Sequence, residues 1–249
     1  MSPDVTTSYH DGVLGRIRSR SVGRPHPAVP EVVLVQGLAV ADYLLPGLCA
    51  FGEWTRAHLV ELPGLGGSGE PPHRLTVSEY GRAVADWLTA RRVGPVILAG
   101  HSSGTQVAAE AAVDHSGVAG VVLASPTMDP AVRSPFRLLA QWVRDGRREP
   151  PGLVRTQRPE WRRAGARQLV HLVRVHLDHD LAVPVARLTV PVLVIRGRDD
   201  TLSTAGWARQ LAALAPDGRY LEVTGAHTFP WLDPHAWSPP VRQLAAELV

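Results

Sequence analysis

The 249-residue sequence predicts an α/β fold, in which a mainly parallel sheet is covered by helices on both faces. Short runs of Val, Ile and Leu alternate along the chain with longer amphipathic segments, as strands alternate with crossover helices in such sheets. Apolar residues make up 45% of the chain, which is enough for one sizeable core. The length is that of one large domain, so we expect a single α/β domain with an insertion.

Six short apolar runs are the predicted parallel strands. They are residues 31–36, 57–61, 95–100, 119–124, 191–196 and 219–223. Their apolar residues are largely continuous, which is typical of strands that are buried on both faces. Residues 12–21 instead alternate between apolar and polar, so we expect an antiparallel hairpin at one edge of the sheet.

Amphipathic segments between these runs are the predicted sheet-packing helices. They are residues 78–92, 104–114, 204–215 and 235–248. In the first of them Val84, Trp87 and Leu88 recur at the spacing of one helix face, and Ser78 can cap the N-terminus.

The alternation of strands and helices stops between Pro130 and Leu188, where no strand signal occurs. Such a stretch is too long for a plain loop. Helical patterns lie near 134–145, 159–167 and 167–177. We therefore expect residues 131–188 to form a helical insertion, a cap that lies over a core made of residues 1–130 and 189–249.

The charge distribution argues against nucleic-acid and membrane partners. The net charge is +3, and the arginines are densest from Arg133 to Arg174. No aromatic residues are interleaved there in a nucleic-acid-binding motif, so we interpret this stretch as a solvated helix face. No apolar run reaches the roughly 18 residues of a membrane helix, and the N-terminus lacks the pattern of a secretory signal. We expect a cytoplasmic protein, and the sequence does not indicate its oligomeric state.

The cysteine and histidine content predicts neither a metal nor a cofactor. Cys49 is the only cysteine, which excludes an internal disulfide and a multi-cysteine metal site. His171, His176 and His179 lie together in the insertion, but the first two are five residues apart and do not share a helix face. We expect these histidines to pack or to be solvated.

One motif predicts a nucleophile. Gly100-His101-Ser102-Ser103-Gly104 follows the strand 95–100 and precedes a helix, so the pattern Gly-x-Ser-x-Gly stands in a strand-turn-helix context. A serine on such a sharp turn needs neighbours without side chains, because strand and helix crowd together there. The turn then exposes the hydroxyl of Ser102.

A serine hydroxyl is a weak nucleophile at neutral pH and needs a base, which in turn needs an orienting acid. The strand 191–196 is followed by Asp199 and Asp200, and the strand 219–223 is followed by His227. Open parallel sheets place their sites at these C-terminal strand ends. His227 is therefore the candidate base, and either aspartate is a candidate acid.

The chain resembles the α/β-hydrolase family over essentially its whole length. The matching segments are EVVLVQGLA, LPGLGGSG at Leu62–Gly69, GHSSG, VPVLVIRGRDD and TGAHTFP. The resemblance implies an eight-stranded sheet with a helical cap, and it implies Asp200 as the acid, since Asp200 matches the family's Gly-x-x-Asp pattern. Asp199 stays as the adjacent alternative, and Asp129 is a third, because some members place the carboxylate after the preceding strand.

The tetrahedral intermediate of acyl transfer needs two backbone N–H donors, which form an oxyanion hole. By the resemblance these are the N–H groups of Ser103 and Leu38, with Ala39 as the alternative to Leu38. The sequence departs from the family here, because Gln36-Gly37 stands where His-Gly is common.

The predicted function is that of a serine hydrolase, with a small-molecule substrate. Ser102 would attack the carbonyl group of an ester or lactone and form an acyl-enzyme, with His227 as general base. The insertion supplies Phe136, Trp142 and Trp161, which could line a pocket for a small, largely apolar substrate.

Two alternatives remain open from the sequence. A C–C bond hydrolase, or a biosynthetic thioesterase or cyclase, would use the same triad on other acyl groups. A non-catalytic ligand-binding protein would keep the fold with a silent triad, although the intact serine, histidine and acid argue against it. Epoxide hydrolases and haloalkane dehalogenases are excluded, because those branches of the family use an aspartate at the position of Ser102.

Overall fold

The computed structural model describes residues 4–92, 94–113, 115–130 and 133–248, and its centre is one eight-stranded sheet. The strands are β1 (Thr6–Gly12), β2 (Gly15–Val22), β3 (Glu31–Val35), β4 (Ala57–Glu61), β5 (Val96–His101), β6 (Val118–Ala124), β7 (Val192–Gly197) and β8 (Gly218–Val223). Their order across the sheet is β1-β2-β4-β3-β5-β6-β7-β8.

The neighbouring strands β4, β3, β5, β6, β7 and β8 are all parallel. The strands β1 and β2 form an antiparallel hairpin at one edge. The hairpin turns between Gly12 and Gly15, and β2 pairs antiparallel with β4. The predicted fold class is confirmed. An antiparallel hairpin does lie at the edge, but it spans residues 6–22, so the predicted range 12–21 covers only the turn and most of β2 and misses β1. All six predicted parallel strands are present within one or two residues of their expected bounds.

Helices cover both faces of the sheet. They are α1 (Leu45–Gly52), α2 (Val77–Arg91), α3 (Gly104–Ala112), α4 (Pro135–Gly146), α5 (Leu153–Asp178), α6 (Ala182–Arg187), α7 (Ala205–Leu214), α8 (Phe229–Leu232) and α9 (Ser238–Glu247). Because strand side chains alternate between faces, Val33 and Val35 belong to the apolar cluster that includes residues of α2, α3 and α7, whereas Val32 and Leu34 belong to the cluster that includes residues of α1, α8 and α9. The core is therefore two apolar layers that the sheet separates.

Two local predictions were wrong, and the helix α1 was not predicted. The strand β8 is only partly buried, because it lies at the sheet edge and has one neighbouring strand. The cap of α2 is Thr76 rather than Ser78, and it forms a reciprocal capping box with Glu79. The sequence pattern did not indicate α1, because Pro46 and Gly47 are residue types typical of turns.

Between β6 and β7 the chain forms three helices, α4, α5 and α6, and no strand in the residues that the structure describes there. The helix α5 is kinked at Gly165, which has a left-handed φ of 74°. His176 near the end of α5 and His179, the residue that follows the helix, attach it to the core helix α3. His176 Nδ1 donates to Gln106 Oε1 at 2.7 Å, and His179 Nε2 contacts Glu110 Oε1 at 2.6 Å.

Among the described residues, no helix is both long enough and apolar enough to cross a membrane.

Candidate active site

Ser102 lies on the turn between β5 and α3, at the C-terminal edge of the sheet. Its φ is +57°, a left-handed conformation that few residues other than glycine adopt. The Ser102 N–H donates to the carbonyl of Ala124 at 2.9 Å, and the Ser102 carbonyl accepts from the N–H and the hydroxyl of Thr105. These bonds hold a strained backbone in place and leave the hydroxyl accessible.

The two glycines of the motif are required by close backbone contacts. A Cβ at Gly100 would lie 2.3 Å from the carbonyl oxygen of Gly104. A Cβ at Gly104 would lie 2.4 Å from the carbonyl oxygen of Gln36 in the neighbouring strand connection. Either distance is far below van der Waals contact, so the start of α3 reaches the sheet only without these side chains.

A hydrogen-bonded chain joins three of the predicted site residues. Ser102 Oγ lies 2.9 Å from His227 Nε2, and His227 Nδ1 lies 3.0 Å from Asp200 Oδ2. His227 and Asp200 are buried, with 6% and 5% of their surface exposed. The other carboxylate oxygen of Asp200 accepts the backbone N–H groups of Leu202 and Ser203, at 2.8 and 2.9 Å. Asp200 therefore has one oxygen fixed by backbone and one free to orient the imidazole.

The ionisation states of Asp200 and His227 depend on burial and on each other's charge. Burial opposes ionisation of Asp200, but the imidazole of His227 and the Ser203 N–H hold the Asp200 pKa below its usual value. Burial likewise opposes protonation of His227, but the carboxylate of Asp200, with smaller effects from Asp145 and Glu149, raises the His227 pKa to about 9. The site stabilises a positive charge on the imidazole.

The two alternative acids lie elsewhere. Asp199 is exposed, and its backbone N–H donates to the carbonyl of Gly225. Asp129 is half-buried, and its Oδ2 accepts from the hydroxyl of Thr204 at 2.9 Å. The carboxylate at His227 Nδ1 is that of Asp200.

The loop that follows β3, residues 36–41, carries Leu38 and is called the Leu38 loop below. Gly37 and Val40 pair across it as an isolated bridge, and Ala39 has a left-handed φ of 56°. The indole N–H of Trp161 donates to the Leu38 carbonyl at 3.0 Å. Ser103, the other predicted donor, is the residue that immediately precedes α3.

Gln36, which replaces the family's common histidine, is 1% exposed. Its side-chain oxygen and nitrogen have no hydrogen-bond partner within the described part of the chain. Gln36 therefore contributes no side-chain hydrogen bond to the Leu38 loop among the described residues, and the loop's turn is closed by the bridge between Gly37 and Val40.

His101 and Tyr43 link the parts of the site, and the sequence did not single them out. His101 Nε2 lies 2.8 Å from the His227 carbonyl, which can only accept, so this nitrogen donates. Burial lowers the pKa of His101 to about 3, so the ring is neutral and Nδ1 accepts from the Tyr43 hydroxyl at 2.6 Å. Tyr43 also accepts the Gly37 N–H. The position of His101 between the motif's glycines was the one available signal.

The aromatic residues of the insertion divide into two groups. Trp161 contacts Trp142 edge to face, with ring centroids 6.0 Å apart, and Trp161 also reaches Leu38. Phe136 is 85% exposed. Two of the three predicted pocket aromatics therefore lie near the Leu38 loop, and Phe136 faces solvent.

The histidines of the insertion have separate partners. His171 Nε2 donates to the Leu75 carbonyl at 2.9 Å, while His176 and His179 contact α3 as described above. Within the residues that the structure describes, no group of three or more His, Cys, Asp or Glu side chains is arranged to hold a metal ion.

A model of the alpha/beta hydrolase family matches residues 32–238, which is most of the chain. The chain therefore belongs to the alpha/beta hydrolase family, and it is an enzyme of the hydrolase class.

Individual relatives are distant. The chain is 25% identical over 232 residues to RutD of Serratia proteamaculans (strain 568), which carries the name of a carbamate hydrolase, and the match covers 83% of this chain and 87% of that protein. A hydrolase from Pseudomonas aeruginosa PA01 superposes with a TM-score of 0.76 at 23% identity, covering 96% of this chain and 98% of that one. An enol-lactonase from Burkholderia xenovorans LB400 superposes with a TM-score of 0.74 at 18% identity, covering 95% and 99%. At these identities the two structures establish the fold.

Proposed function

We propose that this chain is a serine hydrolase that cleaves carboxylic esters or lactones through an acyl-enzyme on Ser102. The observation that carries the proposal is the hydrogen-bonded chain from Ser102 through His227 to Asp200, at 2.9 and 3.0 Å. Nucleophile, base and orienting acid are thus within hydrogen-bond reach of each other, as acyl transfer by serine requires.

In the first step the Ser102 oxygen attacks the substrate carbonyl carbon, and its proton passes to His227 Nε2. The carboxylate of Asp200 accepts the Nδ1 proton's hydrogen bond, which fixes the tautomer and stabilises the imidazolium. The oxyanion that forms takes hydrogen bonds from the N–H groups of Ser103 and Leu38. Ser103 stands at the start of α3, where the unpaired N–H groups of a helix favour negative charge.

In the second step the imidazolium of His227 gives its proton to the leaving group, which departs as an alcohol or as the hydroxyl end of an opened lactone. Water then attacks the acyl-enzyme, with His227 again as base, and the acid is released as Ser102 regains its proton. Every proton in this cycle is carried by residues of the chain or by water.

The substrate class is inferred from the residues around the Leu38 loop and from the relatives. Trp142, Trp161 and Leu38 present an apolar surface next to the proposed oxyanion donors, which suits a small, largely apolar acyl group. The relatives named for a carbamate and for an enol-lactone support a carbonyl compound as substrate. Residues 131–188 act in this proposal as a cap over the core.

A fluorophosphonate probe tests the nucleophile, because it reacts with activated serines regardless of the natural substrate. We expect wild type to be labelled at Ser102, Ser102→Ala to be unlabelled, and a control at an exposed turn serine, Ser116→Ala, to be labelled at the wild-type rate. Absence of labelling on folded wild type would contradict the proposal.

Turnover of p-nitrophenyl esters of increasing chain length, of lactones and of thioesters tests the substrate class. We expect short-chain esters and lactones to be cleaved, and Ser102→Ala to lose this turnover. A kcat/KM that is much higher for thioesters would favour the thioesterase alternative instead.

A further inference from the structure

Three carboxylates of the insertion are turned towards the core. Asp145 lies at the end of α4, Glu149 follows that helix, and Glu160 lies within α5. Asp145 and Glu160 expose only 2% and 3% of their surface, and Glu149 is half-buried. A buried carboxylate is costly unless it is well hydrogen-bonded, so the partners of these three indicate what they do.

Asp145 binds the residue that follows the proposed catalytic acid. Its Oδ1 accepts the backbone N–H of Thr201 at 3.0 Å and the Thr201 hydroxyl at 3.3 Å. The Thr201 hydroxyl also lies 3.1 Å from the carbonyl of Gln141, one turn earlier in α4. The loop that carries Asp200 is thereby attached to the end of α4.

Glu149 binds the residue that follows the proposed base. One of its carboxylate oxygens accepts the Thr228 N–H at 2.7 Å, and the other accepts the Thr228 hydroxyl. On the carbonyl side of the same peptide group, His101 donates to the His227 oxygen at 2.8 Å. The backbone of His227 is thus held by the insertion on one side and by the nucleophile turn on the other.

Glu160 binds the end of the Leu38 loop. Its Oε2 accepts the N–H groups of Ala41 and Asp42, at 2.9 and 3.0 Å. The next residue along α5, Trp161, donates to the Leu38 carbonyl at 3.0 Å. Two consecutive residues of α5 therefore hold the Leu38 loop at two points, the Leu38 carbonyl and the backbone N–H groups at the end of the loop. Both points follow the Leu38 N–H along the chain.

We propose that Asp145, Glu149 and Glu160 are positioning residues of the acyl-transfer reaction, each fixing one of the three loops that carry the partners of the nucleophile. The proposal rests on the serine mechanism proposed above. Bonds from N–H groups to carboxylates are roughly twice as strong as neutral ones, so each loop is held by a stiff contact. Rates of acyl transfer depend on the alignment of the reacting groups, and a displacement of about 1 Å can cost about a hundredfold.

The neutral isosteres Asp145→Asn, Glu149→Gln and Glu160→Gln test the proposal, because they keep the size of each side chain and remove its charge. The matched control is Asp178→Asn, also in the insertion, whose side chain is 72% exposed. For each folded variant, kcat and KM are measured on a p-nitrophenyl ester, together with the rate of fluorophosphonate labelling at Ser102 and the thermal midpoint.

We expect kcat and the labelling rate to fall by about ten- to a hundredfold in each of the three variants, with KM changed less than about threefold. Asp178→Asn is expected to match wild type. For Glu160→Gln, the affinity for a boronic acid, which forms a tetrahedral adduct with an active serine, is expected to fall in parallel with kcat.

A fourth variant, Trp161→Phe, keeps the proposal testable if a charge-removing variant fails to fold. It removes one hydrogen bond from the Leu38 carbonyl and leaves an aromatic ring, and we expect kcat to fall by about fivefold, the value of about 1 kcal/mol. Folded variants with kcat within twofold of wild type, or with the whole loss in KM, would overturn the positioning role alone. A wild-type chain that does not label at Ser102 would overturn the serine mechanism, and the positioning role with it.

Discussion

The substitution Asp200→Asn removes the charge next to His227 and keeps the shape of the side chain. Asp200 Oδ1 accepts the N–H groups of Leu202 and Ser203, so in the variant this position must be taken by the amide oxygen. The amide nitrogen then takes the Oδ2 position, 3.0 Å from His227 Nδ1. Because the nitrogen donates, Nδ1 must accept, and the imidazole proton moves to Nε2, where it prevents transfer of the proton from Ser102.

The size of the effect follows from this change of tautomer. The same exchange in a serine protease triad lowers kcat about 10⁴-fold, which corresponds to about 5.4 kcal/mol at about 1.36 kcal/mol per decade. We expect a loss of this order in kcat for Asp200→Asn. Since Asp200 is buried behind the imidazole, KM is expected to change less than about threefold.

The assay is steady-state turnover of a p-nitrophenyl ester, with fluorophosphonate labelling as a measure that does not depend on the substrate. The control is Asp199→Asn, which removes a charge from the adjacent, exposed position and keeps the backbone contact to Gly225. A loss of less than about tenfold in Asp200→Asn, or a larger loss in Asp199→Asn, would refute the reasoning.

Three further predictions address the base, the nucleophile turn and the core. The kcat/KM of wild type is expected to rise with pH as His227 loses its proton, with an inflection near pH 9, above the ordinary histidine pKa of 6.5. An inflection at or below pH 6.5 would contradict the inference that the Asp200 carboxylate raises the His227 pKa. Gly104→Ala is expected to lower the free energy of unfolding by about 1–3 kcal/mol and to abolish labelling, because its Cβ would lie 2.4 Å from a carbonyl oxygen. The control Gly206→Ala in α7, with no neighbouring atom within 4 Å of its Cβ, is expected to raise the free energy of unfolding by about 0.5–1 kcal/mol. Equal effects of the two substitutions in thermal melts would contradict the close contact at Gly104. Trp87→Ala is expected to cost about 3–5 kcal/mol in urea unfolding, since the side chain is fully buried under the sheet, and a cost below about 1 kcal/mol would mean that this layer is not packed as described.

The sheet and the strand-turn-helix unit that carries Ser102 could be predicted because their signals are local. A buried parallel strand is a continuous apolar run, and the turn that follows β5 needs glycines on both sides of Ser102. The helix α1 could not be predicted, because its reason is tertiary. A Cβ at Gly47 would lie 2.6 Å from the indole of Trp237. Glycine at this position, which argues against a helix in the sequence, is therefore what lets the C-terminal segment pack on α1.

The choice between the adjacent aspartates also depends on contacts distant from the motif. Asp199 and Asp200 have the same side chain and follow the same strand, so residue type does not separate them. In the structure the backbone after β7 turns so that Leu202 and Ser203 direct their N–H groups at Asp200. Such turns around an Asp side chain are common, so in the sequence only the match of Asp200 to the family's Gly-x-x-Asp pattern separates it from Asp199.

The contacts of the three insertion carboxylates with the core could not be predicted from the sequence. Asp145, Glu149 and Glu160 are spaced among arginines, which is the pattern of a solvated helix face. Their partners are backbone N–H groups, which every residue except proline carries, so no complementary side chain marks the contact. A contact of this kind becomes visible only when the insertion is placed on the core.

The negative field around His227 has opposing effects on the proposed reaction. Asp200, Asp145 and Glu149 all favour the imidazolium, while the neutral ring of His101 lies with its centroid 5.0 Å from that of His227. The imidazolium forms as Ser102 attacks, so the same field lowers the barrier and also keeps more of the resting base protonated at neutral pH. Removing the charge of Glu149 is therefore expected to move the acid limb of kcat/KM to lower pH while lowering the plateau. A variant that lowered the plateau without moving the limb would act through alignment alone, and one that moved the limb without lowering the plateau would act through charge alone.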